Sequence, residues 1–294
     1  MIGLELDDAG AIAVRVDDQG AVQARARADA AGDLAAATAK VLAQVEIAGP
    51  GLLGIAATNP DSPAIAPVAA GLVSRLATPF SKSGAVMSGT AAAAAETWIG
   101  AARGVQDVVF FAVAQHATSG IVRGGAVIAG TRGRAGSVAW LSLNPVERED
   151  YRKTGCLEAE VAAAGLVRRL IWRIKAGDRS RVQDTVNNDL ASITVDHLLD
   201  AARGGDGVSI SVVRDTAKYL GMAAANLVVV ADPEMLVLGG IMASAADLLL
   251  EPLRIEMARR LPKPMMEALK IETAVLGADA AAIGAAHLVT AART

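Results

Sequence analysis

The chain opens with short apolar runs separated by turn residues. Ile2 to Leu6 reads as a strand. Ala11 to Val16 (AIAVRV) reads as a second, and Val22 to Ala26, which alternates apolar and polar positions, as a third. Asp17-Asp18-Gln19-Gly20 is the turn between the last two, with Gly20 supplying the permissive backbone. A helix follows over Leu34 to Val45, with Asp33 as its N-cap. Leu52 to Ala57 is a fully apolar strand. Pro67 to Leu76 is a helix with proline in its first turn, where the missing N–H costs nothing.

The same order then recurs. Val108 to Ala114 (VVFFAVA) is a buried strand, Ser119 to Arg123 another, and Gly124-Gly125 turns the chain into Ala126 to Ala129. Two strand–strand–turn–strand units predict an internal duplication. Beyond residue 155 the helical period dominates. Cys156 to Ile174 reads as one long helix, Thr194 to Arg203 as a shorter one ended by Gly204-Gly205, and Asp206 to Val230 as a long apolar one. Met235 to Leu238 is a strand closing on Gly239-Gly240. Ala245 to Arg260 is a helix stopped by Pro262 and Pro264. Ile271 to Ala274 is a strand, and Ala278 to Ala292 the last helix. A helix is also expected over Thr90 to Arg103, with Ser88 and Thr90 capping it.

A length of 294 residues suggests about two domains. Hydrophobic residues make up 53% of the chain, mean hydropathy is +0.39, and alanine supplies much of both. That excludes a disordered chain. The lone Cys156 excludes a disulfide scaffold and a multi-cysteine zinc site, and fits a reducing cytoplasm. Net charge is −3, so no global attraction to nucleic acid is expected. No secretory signal is read in MIGLELDD. The most apolar stretches are about a dozen residues long, against about 20 for a membrane span. A cytoplasmic protein is expected, without nucleic-acid or membrane partners.

The order of elements resembles the ROK family (repressors, open reading frames and sugar kinases) of the actin/hexokinase-like superfamily. So do four strings: GCLE at Gly155 to Glu158, DPEMLVLGG at Asp232 to Gly240, IGAARGVQDVV at Ile99 to Val109, and VLGADAAAIGAAHL at Val275 to Leu288. The resemblance covers nearly the whole chain. It implies an α/β fold, two-lobed and actin-like (a duplicated ribonuclease H-like unit), with mixed sheets flanked by helices. Expected boundaries are an N-terminal lobe over 1–106, a larger and more helical lobe over 107–277, and a last helix over 278–294 packing back on the first lobe. It also implies a homodimer.

The family's site motifs are altered. Where the resemblance implies Asp-x-Gly-Gly-Thr, whose backbone amides approach ATP phosphates, the chain has Glu5, Leu6, Asp7, Asp8 and Ala9. Like charges about 4 Å apart cost about 4 kcal/mol at an effective dielectric near 20, so phosphate should bind poorly there. The second phosphate loop reads Ala114 to Gly120, with Gly120 its one retained glycine. The position of the catalytic aspartate is Ser88, and serine is no base near neutral pH without an activating group. The sugar-binding Glu-x-Gly-His becomes Ser137 to Trp140. The zinc-ligand positions become Trp140, Glu149, Tyr151 and Cys156, one ligand of the family's four.

No catalytic residue is therefore assigned, no metal site, and no requirement for MgATP or zinc. The expected function is non-catalytic binding of a sugar or other small ligand, or regulation; the alternative is an active sugar kinase with a rebuilt site and a new base such as Glu5 or Glu158. A DNA-binding repressor is disfavoured, because the first strand starts at Ile2. Ligand-binding candidates are Ser88, Thr90, Arg132, Arg134, Ser137, Trp140 and Glu158. Arg132 and Arg134 read as solvated loop charges or as contacts to an anionic sugar derivative. Trp140 is expected to fill the void left by the zinc, with stacking on a sugar face as the alternative. Glu158 either contacts a sugar or pairs within its helix. Glu5, Gly120, Gly239 and Gly240 are the nucleotide-binding candidates. Cys156 reads as a buried inert thiol, His116 as a loop residue, His197 and His287 as packing or solvent-facing positions, and Glu149-Asp150 as a solvated turn.

Overall fold

A computed structural model of the chain describes residues 1–45, 52–72 and 84–291. Strands β1 (Ile2–Leu6), β2 (Gly10–Val16) and β3 (Val22–Asp29) form an antiparallel meander. Helix α1 (Leu34–Val45) leads to β4 (Leu53–Ala57), which pairs parallel to β1. Helix α2 (Ala66–Leu72) precedes β5 (Val86–Met87), parallel to β4. Residues 73–76 of the helix expected from Pro67 lie outside the described residues.

Helix α3 (Ser88–Trp98) then crosses to the second sheet. There β6 (Val108–Val113), β7 (Ala117–Arg123) and β8 (Ala126–Val127) repeat the meander. The helical segment runs through α4 (Glu149–Thr154), α5 (Cys156–Val161), α6 (Ala163–Lys175), α7 (Val182–Thr185), α8 (Val195–Arg203) and α9 (Gly207–Ala231). Next come β9 (Met235–Gly240), α10 (Ile241–Ser244), α11 (Ala246–Ala258), α12 (Lys263–Ala268), β10 (Lys270–Thr273) and α13 (Ala280–Ala291). The strand orders are β3-β2-β1-β4-β5 and β8-β7-β6-β9-β10, one topology written twice.

The two halves exchange a helix. The helix that follows the first sheet, α3, packs on β7, and the helix that follows the second, α13, packs on β1 and β4. Glycines permit both approaches. A Cβ on Gly3 would stand 1.7 Å from the Ala282 carbonyl oxygen, and one on Gly120 would stand 2.1 Å from that of Gly89. Buried Glu96 pins the far end of α3, accepting hydrogen bonds from the amides of Ala101, Val275 and Leu276.

Several local expectations change. The long helix expected from Cys156 breaks at Ala162, whose backbone is extended (ψ 162°). The break lets the Ala163 amide donate to Ala114 O in the β6–β7 turn, while Arg168 and Arg169 donate to the freed carbonyls of Ala159 and Glu160. Glu149 and Asp150 begin α4 rather than lying in a turn. Pro262 and Pro264 do stop α11, but they also start α12, where proline's fixed φ suits the first turn. His197 closes a capping box with Thr194.

Asp206 caps α9 and accepts from Ser209 N, Ser180 Oγ and Arg181 N. Asp206→Ala strips a cap and strands two more donors. It should destabilise the protein by about 2 kcal/mol, measurable by urea unfolding.

Candidate functional site

Glu5 lies on β1 between Ile12 of β2 and Ala56 of β4. Its neighbours Leu4 and Leu6 point the other way, into the core under α1, so period-2 alternation turns Glu5 toward α3 and α13. Burial raises its carboxyl to about 7; the Ser88 hydroxyl opposes that rise, the Asp7 charge adds to it, Arg27 opposes it and Asp279 adds. Ser88 is the first residue of α3 and is 3% exposed. Its hydroxyl faces the Glu5 carboxyl and is the group that most opposes its rise. The expected cap is absent: the N-cap is Met87, and no side chain caps the helix. Thr90 is buried in the first turn of α3.

The β1–β2 turn closes on itself. Asp7 Oδ1 accepts from Ala9 N at 2.8 Å and Gly10 N at 2.6 Å. Asp8 accepts from Ser62 Oγ at 2.9 Å. Beside it lies the β6–β7 turn. Its His116 Nδ1 is 3.2 Å from Glu158 Oε1, and the Ala117 amide donates to Glu158 Oε2 at 2.8 Å. The hydrogen bond to Glu158 raises the His116 pKa against burial, and the charges of Glu158, Asp7 and Asp8 raise it further, so the two turns share one field. Glu158 thus binds outside its own helix, and His116 is its partner rather than a free loop residue. Sequence reasoning read Asp7 as a charge opposing phosphate and missed that its side chain closes the turn. Its signal is an aspartate followed by glycine three residues on, the mark of a side-chain-closed turn.

The other candidates scatter. Arg134 pairs with Asp61 of the β4–α2 loop, while Arg132 is exposed. Ser137 Oγ donates to Arg134 O within its own loop. Trp140 fills no void: it is 57% exposed, beside a close backbone approach of Gly155 to the Ala139 carbonyl. Cys156 is half-buried, short of the buried position expected. His287 stacks on Trp98 at 4.3 Å, between α13 and α3. Gly120 serves the contact with Gly89. Gly239 lies against Ala112 and Phe110, and Gly240 takes φ +61° at the end of β9.

Neither group implied by the resemblance fits these residues. At the zinc positions Tyr151 donates its hydroxyl to buried Glu160, which also accepts from Arg148 at 3.0 Å, so an organic ion pair stands where ligands are needed. At the phosphate position the turn amides already hold a carboxylate.

A family model described as the ROK family matches residues 29–292. A glucokinase of Halalkalibacterium halodurans is 31% identical over 67% of this chain and 60% of its own length. A DNA-binding transcriptional dual regulator of Escherichia coli is 28% identical over 54% of this chain and 38% of its own. The chain therefore spans less than two thirds of these relatives. The crystal structure of a ROK family glucokinase from Streptomyces griseus, in complex with glucose and AMPPNP, superposes with a TM-score of 0.81 at 22% identity, covering 98% of each chain. Among the described residues no helix is long and apolar enough to cross a membrane.

Proposed function

We propose that this chain, which belongs to the ROK family, is a sugar-kinase-like protein that binds a small carbohydrate-class ligand between its two hairpin turns and no longer transfers phosphate. It acts as a binding or regulatory protein, in the cytoplasm and as a homodimer, without MgATP or zinc. One observation carries the reading. The β1–β2 amides that would meet a phosphate are taken by Asp7, and the Ala117 amide of the second turn is taken by Glu158. A nucleotide would have to displace both carboxylates and lie beside them, which like-charge repulsion opposes. Ser88 adds to this, since a hydroxyl cannot collect the proton of an attacking sugar oxygen.

Thermal melts with hexoses, N-acetyl sugars and MgATP, run beside a phosphotransfer assay, test the proposal. A sugar at 100 times its dissociation constant adds about 2.7 kcal/mol of stability and moves the midpoint; MgATP leaves it in place, and no sugar phosphate forms. The double variant Asp7→Gly/Asp8→Gly frees the turn amides and should gain a MgATP-dependent shift. Transfer of phosphate from ATP by the unaltered chain overturns the reading. It would favour a rebuilt kinase with Glu5, half-ionised near neutral pH, as the base.

A further inference from the structure

Glu160 lies in α5 with 4% of its surface exposed, and two groups from the preceding segment meet its Oε1. The Tyr151 hydroxyl donates at 2.5 Å and Arg148 Nη1 at 3.0 Å. Arg148 also lies over the Tyr151 ring, 5.2 Å from its centroid, so the three side chains form one packed unit. A buried carboxylate is costly unless it is paired and hydrogen-bonded, and Glu160 is both. What it fastens is a helix too short to hold itself. Helix α5 has six residues, where an isolated helix needs about 12 or more. Its last carbonyls are held from α6: Arg168 donates to Ala159 O, and Arg169 donates to Glu160 O and to Thr216 of α9. Its two acidic side chains run in opposite directions. Glu158 goes to the β6–β7 turn, where the Ala117 amide and His116 meet it. Glu160 is two residues on, about 200° round the helix, and goes back to α4. Holding one side therefore sets the rotation of the other. The implied zinc has no donors for this task. Of its four positions Glu149 pairs with Lys153, Trp140 is mostly exposed and Tyr151 is engaged with Glu160. Among the described residues no three His, Cys, Asp or Glu side chains gather as a metal ion needs.

We infer that Glu160 is a positioning residue: with Tyr151 and Arg148 it fixes the rotation of α5 and so aims Glu158 at the β6–β7 turn, without a metal ion. The inference takes from the reading above only that this turn is one wall of the ligand site. It is tested on the free protein, so a failure of sugar binding leaves it standing and its own failure leaves sugar binding standing.

Solution NMR of the full chain tests it through two reporters on the far side of α5, the titration of the His116 imidazole and the exchange rate of the Ala117 amide. Glu160→Leu keeps the bulk and removes the anchor. The Ala117 amide should then exchange about ten-fold faster. The His116 pKa, which the Glu158 hydrogen bond raises, should fall. Glu160→Gln still offers Tyr151 an oxygen and should recover most of both. Asp206→Ala destabilises the protein from another place and should leave the His116 pKa where it is, which separates positioning from a general loss of stability. Tyr151→Phe keeps the ring and should move both reporters the same way by a smaller step; it carries the test if Glu160→Leu does not fold. Reporters that stay put in a folded Glu160→Leu, or in Tyr151→Phe where that variant decides, overturn the inference. So does a fall of the His116 pKa in the unaltered chain on dialysis against EDTA, which would assign the fastening to a bound metal ion.

Discussion

Gly284→Ala should cost about 3–5 kcal/mol and lower the melting temperature by roughly 10 °C. The Cβ it adds would sit 1.7 Å from Ala91 O and 2.4 Å from Ala91 C. Those are backbone atoms, so no rotamer change relieves the overlap, and α13 must move off α3. Nothing nearby can absorb that movement. The facing residues Ala91, Ala92, Ala94, Ala282, Ala285 and Ala286 are already small and buried. On its other face α13 rests on Gly3 and Gly54, where added Cβ atoms would stand 1.7 and 1.9 Å from its carbonyl oxygens. Separation of the pair also disturbs Ser88, because α3 begins there. Gly71→Ala is the control. It lies in α2 with nothing within 4 Å of its Cβ position, and should be neutral or stabilising by a few tenths of a kcal/mol. Paired urea and thermal unfolding decide it. A Gly284→Ala melt within a degree or two of the parent would mean the two helices are not held this close.

The duplicated topology was legible because β1 to β3 and β6 to β8 carry alternation and turn residues that depend only on nearby sequence. Turn geometry and helix period are local, and so is the stop signal of a glycine pair. The site is different. Glu158 meets His116 across 42 positions, and Ser62 meets Asp8 across 54. No local pattern encodes such contacts; only the strand register brings them together. The break at Ala162 has no glycine or proline to announce it, since it is set by a hydrogen bond to the β6–β7 turn. Trp140 was misjudged for the same reason. A large apolar residue suggests interior, but the indole lies 57% exposed in the folded chain. Aligned motifs identified Glu5 and Ser88 as altered positions. They did not reveal that the two face each other, because that depends on β1 and the start of α3 meeting in space.

Glu5→Gln should stabilise the protein by up to about 3 kcal/mol above pH 7 and change it little near pH 4.5. The folded carboxyl is raised to about 7 by burial, against 4.5 for the ordinary group, and a difference of that size corresponds to about 3.4 kcal/mol at 1.36 kcal/mol per unit. Because the folded value is the higher one, the folded state binds the proton more tightly. The stability linked to this group is complete below pH 4.5 and is lost as pH rises through 7. Glutamine keeps the volume and a polar end but has nothing to ionise, so the gap between variant and parent opens across that interval and then levels off. Asp279 is also raised by burial, against the pull of Arg25, and His287 is lowered by burial; both titrate alike in the two proteins and cancel from the difference. Urea unfolding at pH 4.5, 6 and 8.5 measures the gap, and a constant difference across that range would mean Glu5 is solvated and ordinary.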